Sequence, residues 1–125
     1  MPANRVNVPF TILESAAYTA SNNSADMTNR HCKGVKVFIH CSAIAASPSV
    51  VFTIAEKDYL SGEYNAILAS AAIVAEGLTV LTVYPGTTVA ANVAISQPLP
   101  HTWRVQAVHA DADSITYSVT GCYIV

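Results

Sequence analysis

The stretch SVVFTIAEKDYLSGEYNAILASAAIVAEGLTVLTVY, residues 49–84, decides the fold. Within positions 50–55, the apolar residues Val50, Phe52 and Ile54 alternate with Val51, Thr53 and Ala55, which is the period of two that a β-strand imposes on its side chains. A polar segment at 56–62 interrupts the pattern, a second alternating run covers 63–68, and a third apolar run covers 78–84. The stretch therefore predicts three strands joined by turns and arranged as a β-meander.

The same alternation appears on both sides of this stretch, in GVKVFIHCSA from Gly34, in HTWRVQAVHA from His101 and in the segment that begins at Ile115. No run of helix-forming residues separates these segments, so we predict an all-β domain. The expected architecture is an antiparallel β-sandwich of about seven or eight strands, with a jelly roll or a Greek-key barrel as the nearest alternative. Its predicted core, centred on Trp103, consists of Val37, Ile39, Phe52, Ile54, Leu68, Leu81, Trp103, Val105 and Tyr117.

Residues 1–33 lack this clear pattern and are predicted to form an N-terminal arm and an exposed loop that could contribute one strand, whereas residues 34–125 form the sandwich domain. The loop is expected at 21–33, a polar and turn-rich segment. An arm that is apolar only in patches often becomes ordered against a neighbour. The alternative is a first strand that completes the same sandwich. The predicted partner-binding residues of the arm are Val6, Val8, Phe10, Ile12 and Leu13.

The composition points to a protein that works within an assembly. Hydrophobic residues make up 52% of the chain and charged residues 11%, against about 25% charged in ordinary soluble domains. No apolar run approaches the roughly 20 residues of a membrane span, and the start lacks the pattern of a signal peptide. A neutral surface covered by other protein is therefore expected, with a monomer rich in Ser, Thr and Ala as the alternative. A net charge of −2 with scattered basic residues predicts no nucleic-acid partner.

The three cysteines, Cys32, Cys41 and Cys122, are predicted to be free thiols, because their odd number suits a chain made in a reducing cytosol. His40 and Cys41 are adjacent on a predicted strand and point to opposite faces, so they cannot share a zinc ion. We therefore predict no metal site.

No catalytic or nucleotide-binding motif is present, and we predict neither an enzymatic activity nor a cofactor. The carboxylates Glu56, Asp58 and Glu63 surround one predicted turn, where solvation is expected. Five tyrosines could line a sugar-binding face, although tyrosines also pack across strands in any β domain, and packing is the favoured interpretation. These residues are Tyr59, Tyr64, Tyr84, Tyr117 and Tyr123.

Three segments, SPSVVFTIAEKDYLSGEYNAILASAAI, GLTVLTVYPG and LPHTWRVQAVHADADSITYSV, resemble small structural proteins of tailed bacteriophages. Such proteins are encoded among head genes, and some are capsid decoration proteins. The resemblance covers roughly 34–119 and rests on the order of an SPS-initiated strand, SG and YPG turns, an LP-x-x-WRV strand and a D-x-D-S-I-T-Y-S-V ending. His101 stands where many of these proteins carry Arg. Residues 1–33 lie outside the match.

This resemblance implies a virion protein, made in the host cytoplasm, that binds the major capsid protein in the assembled lattice. It also implies a homo-oligomer, with a trimer favoured, and neither a nucleic-acid nor a membrane partner. Two alternatives stay open. One is a carbohydrate-binding module on a virion surface that uses Tyr59 and Tyr64, and the other is a tail or neck connector of the same virion.

Overall fold

The computed structural model describes residues 7–125. Within these residues it contains β-strands and no helix, and hence no helix of the length and apolarity that crossing a membrane requires. The strands are β1 (Val8–Tyr18), β2 (Asn22–Asn23), β3 (Met27–Thr28), β4 (Gly34–Ile44), β5 (Val50–Lys57), β6 (Tyr64–Ala69), β7 (Gly77–Val83), β8 (Ala94–Ile95), β9 (Thr102–His109) and β10 (Ile115–Ile124).

The strands form two sheets packed face to face. The first sheet has the order β1-β10-β4-β7-β8, and the second has the order β2-β9-β5-β6, with β3 also paired to β9. Every pairing is antiparallel except that of β7 with β8. The predicted antiparallel β-sandwich is therefore confirmed. The structure has more strands than predicted because β2, β3 and β8 are each two residues long, too short to show an alternating pattern.

The core lies between the two sheets and contains all nine of the predicted core residues. Trp103 on β9 has no exposed surface, and the ring of Phe52 meets the ring of Tyr117 edge to face, with centroids 4.8 Å apart. In the first sheet, Ile39 lies opposite Val119 on one side and Thr79 on the other. The period of two in the sequence therefore identified the inward face of each long strand correctly.

The predicted meander is wrong in its third strand. β5 pairs with β6 as expected, but β7 pairs with β4 in the other sheet. After β6, Ile73 still donates a hydrogen bond from its N–H to the carbonyl of Val50, at 2.8 Å. The chain then crosses over at Gly77, whose φ of 145° favours glycine. The alternation in the sequence indicates only that one face of β7 is buried. It does not indicate which of the two sheets β7 joins.

The N-terminal residues that the structure describes also join the sheets. β1 pairs along β10 from Val8 opposite Tyr123 to Tyr18 opposite Ile115, so it is the strand that the predicted arm could contribute. The expectation of an exposed loop at 21–33 is wrong at its middle, because β2 and β3 pair with β9 and Ser24 is buried between them. This segment satisfies backbone groups on the edge of β9 that would otherwise lack partners.

Candidate binding surfaces

Four of the five predicted partner-binding residues lie in β1, where they differ in burial. Val6 lies outside the described residues, and Val8 has a side chain that is 49% exposed. Phe10 and Leu13 are partly buried against the core, and Ile12 belongs to the core. Three of these side chains therefore serve the chain's own packing, as the alternative of a first strand that completes the same sandwich requires. Partner binding by this segment stays a prediction.

The Phe10 ring shows how β1 is attached. It stacks on Tyr123 with centroids 4.4 Å apart and meets Trp103 edge to face at 6.2 Å. Gly121 on β10 makes room for it, since a Cβ at that position would lie 2.6 Å from Cζ of Phe10. The glycine and the three aromatic rings hold the first half of β1 against the sandwich.

The outer edge of β1 remains available for pairing. β1 is the last strand of its sheet, and within residues 7–125 nothing pairs with its other side. Pro9, which has no N–H, and two register shifts between Thr11 and Ala16 interrupt this edge. The edge of β1 that is open to a partner strand is therefore short and irregular, and Val8 lies beside it.

A second surface is the hairpin tip, residues 58–63, between β5 and β6. Tyr59 is 99% exposed and Leu60 is 90% exposed. The Asp58 carboxylate accepts hydrogen bonds from the Ser61 hydroxyl and N–H, at 2.5 and 3.2 Å, and these bonds lower its pKa. The Gly62 N–H also donates to the Asp58 carbonyl at 2.9 Å. The turn is held by its own hydrogen bonds, and both apolar side chains project into solvent.

A cleft of about 410 Å³ lies beside the hairpin tip. It combines an aromatic ring with groups that can form hydrogen bonds, and it could hold a small polar ligand. Its lining consists of Glu56, Lys57, Tyr59, Pro100, His101 and Thr102.

Next to this cleft, Asp26 joins two neighbours on the second sheet. Its carboxylate accepts hydrogen bonds from the Tyr64 hydroxyl at 2.6 Å and from the Lys57 ammonium at 3.0 Å. These two hydrogen bonds lower the pKa of Asp26, and Asp26 in turn raises the pKa of Lys57. The Arg104 guanidinium lies 3.5 Å from the centroid of the Tyr64 ring. The Tyr64 ring is thus already in contact with a cation, whereas the Tyr59 ring is accessible to a ligand.

The other tyrosines considered for a sugar-binding face are less accessible. Tyr117 is fully buried and stacks on Tyr18 with centroids 4.3 Å apart, while Tyr123 packs against Phe10 and Trp103. Tyr84 is half-buried. Packing across strands therefore accounts for Tyr117 and Tyr123.

A third surface, the β7-edge groove, lies at the opposite end of the β5–β6 hairpin and has a volume of about 490 Å³. Because β8 pairs only with Thr82 and Val83, within residues 7–125 the first part of β7 has no strand on its outer side. Small and apolar side chains line the groove, and Glu76 is its one charged residue. The lining consists of Ala71, Ala72, Ile73, Val74, Ala75, Glu76, Gly77, Leu78, Thr79, Ala91, Asn92 and Val93.

The sequence did not predict this groove. Its only local signal is the run of small residues between β6 and β7, and such a run is equally typical of a loop. Val74, Leu78 and Val93 in the lining are 57%, 61% and 50% exposed, which is unusual for apolar residues brought together at one place.

A polar cluster surrounds the hydroxyl of Tyr117 at one end of the core. Asn22 donates from Nδ2 to the Tyr117 hydroxyl at 2.8 Å, and Nε2 of His109 lies 3.0 Å from the same oxygen. Nδ1 of His109 is buried and has no hydrogen-bond partner within residues 7–125. Burial raises the pKa of Tyr117 to about 12 and lowers the pKa of His109, although Asp111 partly opposes the latter shift.

We expect this cluster to make the fold acid-sensitive. Because the folded state holds His109 below its ordinary pKa of 6.5, the unfolded chain binds more protons in this range. The free energy of unfolding should therefore be highest above pH 6.5 and fall as the pH drops below it. Urea denaturation at several pH values should show a smaller fall for His109→Gln, whereas His40→Gln, at an exposed position, should match the original chain. An identical fall in all three proteins would contradict this expectation.

The cysteines and histidines do not converge in the described part of the chain. Cys32, Cys41 and Cys122 are free thiols, and burial raises the pKa of Cys41. His40 is exposed on the opposite face of β4 from Cys41. Between residues 7 and 125, no three side chains of the metal-ligating types come close enough to hold an ion.

Comparison with known proteins identifies solved structures with a similar fold. No protein-family model and no curated protein matches the sequence. The fold is similar to that of the SPBc2 prophage-derived protein YomS, with a TM-score of 0.58 and 15% identity over 98% of this chain and 96% of that chain. It is also similar to part of a chain in the structure of infectious bursal disease virus, Gx strain, with a TM-score of 0.55 and 13% identity. That match covers 97% of this chain but only 33% of the viral one. At these identities the likenesses establish the sandwich fold.

Proposed function

We propose that this chain is a virion structural protein without a catalytic role, which binds the assembled capsid lattice as a decoration or minor head protein. The observation that carries the proposal is the end-to-end likeness of fold to a prophage-derived protein, over 98% of this chain and 96% of the other. The likeness to part of a chain from a virus structure supports it. The sequence resemblance to tailed-phage head proteins points the same way.

The surface also suits a protein that works in many copies on a lattice. With 11% charged residues, the chain leaves little electrostatic repulsion against a neighbouring protein. A weak contact can give high occupancy when symmetry repeats it and several copies bind together. The homo-oligomer implied by the sequence resemblance would bind the lattice through several such weak contacts at once.

We place the capsid contact at the outer edge of β1, next to Val8. A strand of the major capsid protein would add to this edge by main-chain hydrogen bonds, as extended segments commonly do on open sheet edges. Phe10 and Ile12 would contribute indirectly, because their packing inside the sandwich holds the edge in position.

The proposal can be tested with particles assembled from the genome that encodes this chain but with its gene deleted. Purified protein is added to these particles, and its occupancy is measured by co-sedimentation and cryo-EM. We expect saturable binding to the assembled shell and not to isolated tails. Density confined to the tail or neck would support a connector protein instead, and absence of binding to any part of the particle would overturn the proposal.

The Val8→Asp variant tests the position of the contact. We expect about a tenfold loss of affinity for the capsid, since an unpaired charge would be buried beside the added strand. The matched control is Val108→Asp, in the other sheet, because Val108 is 52% exposed and Val8 is 49% exposed. Melting temperatures should change little in both. Equal binding by the two variants would exclude the β1 edge. A deletion through Phe10 is less informative, because it also removes core packing.

A carbohydrate-binding role is the second candidate, and the open ring of Tyr59 beside the 410 Å³ cleft favours it. Sugars stack on exposed aromatic rings and need hydrogen-bonding groups such as Glu56 and Thr102 close by. Binding on a glycan array that is lost in Tyr59→Ala and kept in Tyr84→Ala would support this role. Tyr64→Ala should have a smaller effect, because Arg104 already covers that ring.

A further inference from the structure

We propose that the hairpin tip of one copy inserts into the β7-edge groove of a second copy, so that copies of this chain associate head to tail. This inference does not rest on the proposed function, because it concerns only contacts between copies of the chain. The occupant of the groove is therefore a second copy of this chain.

The exposed apolar surface is concentrated in these two places. Nine large hydrophobic residues of the described part are exposed, and five of them lie in the tip or in the lining of the groove. The tip is convex and the groove is concave. The five residues are Tyr59 and Leu60 in the tip and Val74, Leu78 and Val93 in the groove.

The two surfaces also match in polarity. Tyr59 and Leu60, the side chains that would enter the groove, carry no charge. The tip also has two carboxylates, Asp58 and Glu63, and these must stay outside in solvent because Glu76, the single charged side chain of the groove, is also a carboxylate. The Tyr59 hydroxyl would need a hydrogen-bond partner once it leaves water, and Glu76 and Asn92 supply acceptor oxygens in the lining.

The tip is preorganised for insertion. The Asp58 carboxylate and the Ser61 hydroxyl already fix the turn, so little conformational entropy remains to be lost on binding. A buried aromatic side chain removes about 150–250 Å² from water, and rigid aromatic anchors of this kind dominate the energetics of many interfaces. The groove, at about 490 Å³, has the size of typical ligand pockets.

The positions of the two surfaces require a second copy. The tip lies beyond the pairing of Lys57 with Tyr64, and the groove begins near the pairing of Val50 with Ile73. At about 3.3 Å per residue these two ends of the hairpin are roughly 23 Å apart, so a tip cannot reach its own groove. Each copy therefore offers one tip and one groove, and such contacts form a closed ring or a filament.

The test is a sedimentation study of complementary variants. The tip variant carries Tyr59→Ser and Leu60→Ser, and the groove variant carries Val74→Glu and Val93→Glu. We expect the original chain to associate as its concentration rises and each variant alone to remain a monomer. An equimolar mixture of the two variants should form a two-chain complex, since the groove variant keeps its tip and the tip variant keeps its groove. Val108→Glu should associate like the original chain.

Three results would overturn the inference: a monomeric original chain across the concentration series, a mixture that stays monomeric, or a variant that associates normally alone. If circular dichroism shows that the groove variant is unfolded, Ala72→Glu, at an exposed position of the same lining, replaces it and must give the same result. Capsid binding is measured separately. A monomer that binds capsids would refute this inference alone, and an oligomer that does not bind them would refute the proposed function alone.

Discussion

Replacing Trp103 with alanine is expected to lower the free energy of unfolding by about 3–5 kcal/mol. Trp103 has no exposed surface, and its ring meets Phe10 and Tyr123 edge to face at 6.2 and 6.1 Å. The substitution would leave a cavity at the place where β1, β9 and β10 pack together. Urea denaturation should show a lower midpoint with an unchanged slope.

Two further substitutions on β9 separate the loss of packing from other effects. Trp103→Phe keeps an aromatic ring and should cost clearly less than Trp103→Ala. Val108→Ala, on the outward face of the same strand, should change the free energy of unfolding by about 0.5 kcal/mol or less. A loss below roughly 1 kcal/mol for Trp103→Ala would contradict the central place of this side chain in the core.

Replacing Gly34 with alanine should be almost as damaging, with an expected loss of about 3 kcal/mol. A Cβ at this position would lie 2.1 Å from the carbonyl oxygen of Val83, and 2.9 and 3.0 Å from Cδ1 and Cα of Tyr84. Two of these three atoms belong to the backbone, so the start of β4 would have to move away from β7. The pairing of Val35 with Val83 would be disturbed.

The matched control is Gly86→Ala. Gly86 has a φ of 91° and no heavy atom within 4 Å of an added Cβ, so the substitution introduces backbone strain without a clash. Its expected effect is about 1–2 kcal/mol. Thermal and urea denaturation of both variants would show whether Gly34 is required for close approach of the strands. Equal losses in the two variants would argue against that explanation.

The core and the surfaces proposed for binding consist of different residues. Trp103 and Gly34 lie inside the sandwich, whereas Tyr59, Leu60 and Val93 are exposed and contribute little to its packing. Substitutions at the hairpin tip should therefore change association and leave stability nearly intact. The edge of β1 is intermediate, because Phe10 and Ile12 pack inward while Val8 remains exposed.

The sequence alone determined the all-β class and the inward face of each long strand. Side chains on a strand alternate between its two faces, so Val37, Ile39, Phe52 and Trp103 could be assigned to the core from local order alone. The exposed end of the first hairpin could also be predicted, because Asp58, Ser61 and Gly62 are typical turn residues.

Only the tertiary structure decided which strands pair and which apolar residues remain exposed. β7 could have paired with β6 or β4, and Phe10 could have faced a partner or its own core, since the local pattern allows both. These choices depend on contacts between residues far apart in sequence, such as Phe10 with Trp103 and Val83 with Val35. The β7-edge groove exists only because β8 ends after two residues, which leaves the first part of β7 without a neighbouring strand in the described part of the chain.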